Sequence, residues 1–108
     1  MTAGLSAVNY ANKILDHMHR AVASTAPAGN YVKLHTADPG SAGATAAGSV
    51  TTRPAATFNA ASGGSISMSN TPTWASWAGT NGEVVTHVSV WDASTAGTFL
   101  ASVALTAA

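Results

Sequence analysis

Apolar residues recur at helical spacing between positions 5 and 22. Leu5, Val8, Ala11, Leu15, Met18 and Val22 lie three or four residues apart and share one face, which Ile14 widens. Thr2 or Ser6 is placed to cap the start. Asp16 and Arg20 form an i,i+4 pair, and His17, His19 and Arg20 crowd the last turns, where the helix dipole favours positive charge. Residues 24–29, rich in small residues and holding Pro27 and Gly29, end the pattern. From residue 30 the period falls to two. In residues 30–37, Val32, Leu34 and Thr36 alternate with Tyr31, Lys33 and His35. Asp38-Pro39-Gly40 is a turn, and residues 41–52 read as a flexible loop of small residues with little to bury. A strand is expected within 53–61 around Phe58, a turn at Ser62-Gly63-Gly64, and a return in 65–70 with Ile66 and Met68 facing one way. Residues 72–82 read as an irregular segment held by Trp74 and Trp77. Residues 83–92 give the strongest strand pattern: Val84, Thr86, Val88 and Val90 against Val85, His87, Ser89 and Trp91. After a turn at 93–97, residues 98–106 return with Phe99, Ala101, Val103 and Leu105 on one face. The expected fold is mainly β, a small antiparallel sandwich or barrel with one N-terminal helix at 5–22. It forms one domain over 1–108, β-rich from 30 to 106.

Composition sharpens this picture. Of 108 residues, Ala, Thr and Ser supply 50, while Leu, Ile, Val and Phe supply 18. The core must be thin, with the tryptophans, tyrosines and phenylalanines expected to give it bulk. Charged residues make up 7% of the chain and cancel to zero net charge, against roughly 25% in ordinary soluble domains. Disordered tails and nucleic-acid binders need clustered charge that this chain lacks. A surface so poor in charge suits permanent packing against neighbours. No apolar run reaches the roughly 20 residues of a membrane span, and the first residues do not read as a secretory signal. Cysteine is absent, so no disulfide or thiolate site exists.

Candidate chemistry is sparse. His17 and His19 are two apart on a helix and point to different faces, and His35 and His87 sit mid-strand. No metal spacing emerges, so no metal or other cofactor is expected. Asp38 and Asp92 occupy turns and Asp16 pairs locally. Glu83 stands alone, which leaves no acid–base pair. No nucleophile elbow or phosphate loop is present, so no catalytic residue is assigned. Trp74, Trp77 and Trp91 are of the type that stacks on sugars, but core filling is the favoured reading. Trp91, out of phase with Val88 and Val90, is the best candidate for contact with a partner chain.

Four stretches carry a family resemblance: residues 4–20 (GLSAVNYANKILDHMHR), 26–40 (APAGNYVKLHTADPG), 52–57 (TRPAAT) and 85–105 (VTHVSVWDASTAGTFLASVAL). In this order they resemble a family of virion structural proteins from actinobacterial (mycobacteriophage-like) viruses, variously labelled tail-fibre, minor tail or minor capsid proteins. The relatives continue for one or two further strands where this chain ends. The resemblance transfers no active site. It implies a non-enzymatic virion component, assembled in the bacterial cytoplasm, whose partners are the major capsid protein or tail proteins and further copies of itself, a trimer being favoured. Neither nucleic acid nor membrane is an expected partner. The length and the lack of a fibrous repeat favour a capsid decoration or minor capsid protein that stabilises the head shell, and this is the preferred reading. The family labels favour a tail-fibre or minor tail protein touching the host surface, and a cell-wall hydrolase fragment is the remote alternative. The expected contacts are Thr2, Leu5, Trp74, Trp77 and Trp91, with the loop at 41–52. Replacing Trp91 by Ala is expected to weaken virion incorporation more than folding.

Overall fold

The computed structural model describes residues 4–106. The molecule is elongated, 49 × 29 × 26 Å. Its helix is shorter than the apolar stripe and opens irregularly. Residues Ala7–Ala11 form a π turn and Asn12–Arg20 (α1) a regular α-helix. Ser6 caps the start, its Oγ accepting from the Asn9 amide at 3.2 Å; Thr2 lies outside the described residues. The Ser6 carbonyl accepts from both Tyr10 and Ala11 amides, and this doubled bond widens the first turn. At the other end Ala21 takes the left-handed conformation usually left to glycine (φ 54°). The Val22 amide folds back onto the Asp16 carbonyl at 3.2 Å, so the helix stops before reaching Val22.

Three antiparallel strands form the sheet, in the order β1 (Tyr31–His35), β2 (His87–Trp91), β3 (Phe99–Ala104). The fold is mainly β with one N-terminal helix. Its strands make a single sheet, and a loop supplies the cover that a second layer would give. Val32 pairs with Val90, Leu34 with Val88, and these in turn with Ala101 and Val103, so the six share one face. Lys33, His35, His87, Ser89 and Ser102 take the other. His35 and His87 are direct cross-strand partners.

β3 departs from simple alternation. A register shift at Val90/Trp91 sets Phe99 opposite Trp91. Phe99 and Leu100 are therefore both buried, while Val103 and Leu105, expected to share the face of Phe99, are exposed. Short segments pair with both sheet edges. Leu5 bridges to Ala101, with the Ser6 amide on the Leu100 carbonyl and the Ser102 amide on the Gly4 carbonyl. On the β1 side, Ala55 bridges to Tyr31 and Ala47 to His35.

The loop after β1 is anchored, contrary to the expectation of a free one. Gly40 (φ +80°) closes an Asx turn on Asp38 Oδ1, the Gly48 amide bonds the Leu34 carbonyl, and Gly43 is buried against the Phe99 ring. Small residues let this backbone lie directly on the sheet. The buried apolar set is Val32, Leu34, Ala56, Phe99 and Leu100, joined by buried Ser6, His35, Ser89 and Ser102. The thin core is as expected, but most of the large rings do not fill it: Phe58 and Trp77 are exposed and Trp74 is half-exposed.

Residues 57–69 form a narrow hairpin rather than sheet strands. Phe58 bridges to Met68, Ser62 to Ser65, and Gly63 and Gly64 turn the chain with φ of 59° and 77°. Glycine is favoured there because both turn positions lie in the left-handed region.

Candidate functional site

Two apolar surfaces are left uncovered. On the helix, Val8, Leu15, Met18 and Ile14 are exposed, Val8 by 72% and Met18 by 69%. The helix start is tied to the sheet, since the Asn9 side-chain amide donates to the Phe99 carbonyl at 3.0 Å. That tether fixes the direction of the helix and leaves its stripe facing outward. On the hairpin, Phe58, Ile66 and Met68 are also exposed. Between the two runs a groove of about 520 Å³, lined in part by Tyr10, Ile14, Pro27, Phe58, Ile66 and Leu100. The hairpin holds its shape by side-chain ties: Asn70 Oδ1 accepts from the Thr57 amide at 2.8 Å, and its Nδ2 donates to the Ala55 carbonyl at 2.9 Å.

A second region is polar. The Trp91 indole lies 5.6 Å from the Phe99 ring, with the Arg53 guanidinium 4.4 Å and the Lys33 ammonium 5.9 Å from its centroid. Below it runs a buried relay. Trp91 Nε1–H donates to Ser89 Oγ (2.7 Å), the Ser89 hydroxyl donates to His35 Nε2 (2.7 Å), and His35 Nδ1–H donates to the Thr45 carbonyl (2.9 Å). A carbonyl only accepts, so Nδ1 carries the proton and the tautomer is fixed. Burial pushes the His35 pKa down, against the hydrogen bond to Thr45, which raises it. Ser89 and His35 have the spacing of a nucleophile and its base, yet both are fully buried. Their role in this geometry is to clamp loop and sheet together.

The expected contact residues are dispersed. Leu5 is half-exposed on the edge segment beside β3. Trp74 donates Nε1–H to the Thr52 carbonyl at 2.9 Å, and Trp77 rests on Gly79 with 43% of its surface exposed. Trp91 is half-buried among Phe99, Arg53 and Ser89. These side chains form no single cluster. Glu83, which had no sequence partner, accepts from the Ser49 amide and hydroxyl at 3.1–3.2 Å. Sequence reasoning missed the hairpin as a surface, although two glycines flanked by alternating Phe58, Ile66 and Met68 were the signal. Among the described residues, no three His, Asp or Glu side chains group to hold a metal, and no helix is long and apolar enough to cross a membrane.

No curated protein matches the chain. A protein-family model, Gp80, described as "Podophage GP4 fiber I protein gp80", matches residues 4–108. The match carries the phage-virion part of the expected resemblance and not its actinobacterial part. A match over nearly the whole length, on a chain whose helix and hairpin both present apolar side chains outward, makes this a phage virion structural protein: it belongs to the Gp80 family of podophage fibre proteins.

Proposed function

We propose that this chain is a non-enzymatic fibre subunit, a single structural domain over 1–108, that joins copies of itself and neighbouring virion proteins through the faces its fold leaves uncovered. The observation that carries this is the exposed helical stripe of Val8, Ile14, Leu15 and Met18. Side chains of this size gain roughly 1.5–3 kcal/mol each when fully buried, and within one chain they gain only part of it. Three such helices packed stripe to stripe would bury every member, which keeps the trimer as the favoured assembly. The groove beside the hairpin extends the same surface, and Thr2, Leu5, Trp74, Trp77 and Trp91 remain contacts proposed for neighbouring proteins. Assembly then takes place in the bacterial cytoplasm, where the virion is built.

The family description favours the fibre over the head. Capsid decoration stands as the second reading, supported by a chain with only 7% charged residues and by the short length. Copy number distinguishes the two. Quantitative mass spectrometry and imaging of purified virions should find the chain at fibre copy number, at the site where the fibre attaches. Hundreds of copies spread over the head would establish decoration instead. In solution, light scattering should show an oligomer for the wild type and a monomer for Leu15→Glu, and a wild-type monomer at high concentration would remove the stripe as the assembly surface.

A further inference from the structure

We infer that the concavity beside Trp91 is a binding site for an acidic saccharide, held by Lys33 and Arg53 and by the hydroxyls of Thr51, Thr52, Ser94 and Thr95. The inference deepens the fibre reading by naming the kind of host-surface ligand that such a subunit would touch. The concavity holds about 460 Å³, and apart from Ala96 its lining is these six residues. That volume falls in the range of small-molecule sites.

Its charge is the unusual feature. The chain has only four Lys and Arg residues, and two of them converge on one indole, Arg53 at 4.4 Å and Lys33 at 5.9 Å from the ring centroid. The one ion pair among the described residues is Arg20 with Asp16 on the helix, so neither cation has a carboxylate within 4.0 Å. Arg53 has a structural task, its Nη1 donating to the Ala93 and Ala96 carbonyls at 3.2 and 2.7 Å and pinning the β2–β3 turn. Lys33 has none: its ammonium makes no hydrogen bond among the described residues, and burial together with the nearby Arg53 lowers its pKa. A partly desolvated ammonium near a guanidinium is an unfavourable arrangement that an incoming anion would relieve. The indole face attracts both cations and so keeps them in place without neutralising them. The four hydroxyls of the lining offer donors and acceptors that a polyol can use and a bare anion does not need. A carboxylate and a phosphate meet the same chemistry here.

The purified chain should be titrated by calorimetry at low salt with four probes. These are an oligogalacturonate, an oligosaccharide bearing mannose 6-phosphate, a neutral oligosaccharide of equal length, and inorganic phosphate. At least one acidic probe should bind roughly tenfold tighter than the neutral one, with affinity falling as salt rises. Which acidic probe wins identifies the carboxylate or the phosphate as the natural group. Lys33→Gln should lower that affinity roughly tenfold. Ser94→Glu, which sets a carboxylate in an exposed rim position, should lower it as much, and both variants should keep the wild-type melting temperature. The inference is overturned by failure of both acidic probes to bind, by equal binding of the neutral probe, or by inorganic phosphate binding as tightly as the sugars. It is also overturned if Lys33→Gln binds like the wild type, or if that variant loses self-association instead of sugar, since a carboxylate of a second copy would then be the occupant. Absence of the chain from virions would remove the fibre reading and leave the binding result standing.

Discussion

The sheet with its covering loop and the helix with its neighbouring hairpin obey opposite rules. On the sheet, the buried polar groups are paired: His35, Ser89 and Trp91 form one relay, and among the described residues no buried side-chain nitrogen or oxygen lacks a partner. Glycines sit where any side chain would collide, and Gly43 faces the Phe99 ring. The helix and hairpin keep their shape through caps and turn chemistry and leave Val8, Met18, Phe58 and Ile66 in water. One region buries its apolar side chains within the chain, while the other leaves them exposed. On the proposed fibre reading, stability and association then fall to separate residues.

The contrast breaks first if the sheet region proves insensitive. Phe99→Ala should destabilise the chain by about 3–5 kcal/mol, measured by urea unfolding; a loss below about 1 kcal/mol would mean that Phe99 is not the centre of the core. Gly43→Ala should cost about 2–3 kcal/mol, because φ is +69° there and the new methyl meets the Phe99 ring. Thermal melts of the purified variant read it, and an unchanged midpoint would show that the loop does not rest on the sheet. His35 sharpens the comparison through pH. Its folded pKa lies below the unfolded value of 6.5, chiefly through desolvation. Above pH 6.5 both states are neutral and stability is full. As pH falls below 6.5 the unfolded chain takes up the proton first, so stability drops, by at most about 1.4 kcal/mol per pH unit. His35→Gln should flatten that slope, and equal slopes in both proteins would assign the effect to another group.

The helix should behave oppositely. Met18→Glu should change the stability of the isolated chain by less than about 0.5 kcal/mol while reducing oligomer formation and virion incorporation. A large loss of chain stability would show that the stripe is packed after all. The smallest effect belongs to Asp16→Ala. The Arg20–Asp16 bond is 3.1 Å but solvent-exposed, so chemical denaturation should register about 0.3–0.5 kcal/mol.

What the sequence makes legible follows the range of the forces involved. The Ser6 cap, the Asp16–Arg20 pair, the Asp38 turn and the two glycines of the hairpin are local, and each stands as the pattern predicts. The β2–β3 pairing is near-local and equally plain. The destination of apolar faces was not legible. A helical stripe reads as buried wherever its partner lies, and here the described residues leave it exposed. The place of Phe99 depends on a single register shift that alternation cannot reveal. The anchoring of the loop after β1 depends on backbone bonds from Ala46 and Gly48, which their side chains do not announce. The site at Trp91 joins Lys33, Arg53 and Ser94 from three separate segments, so no spacing could have marked it.

The short segments that pair with both margins of the sheet have a consequence for growth. Residues 4–6 and the stretches around Ala47 and Ala55 occupy backbone groups that would otherwise recruit strands from neighbouring copies. A virion protein accumulates at high local concentration before it is built in, where open strand templates would nucleate endless aggregates. With those templates already satisfied, strand addition is closed off, and the proposed self-association is left to side-chain surfaces, whose geometry can close on itself at a fixed number of subunits.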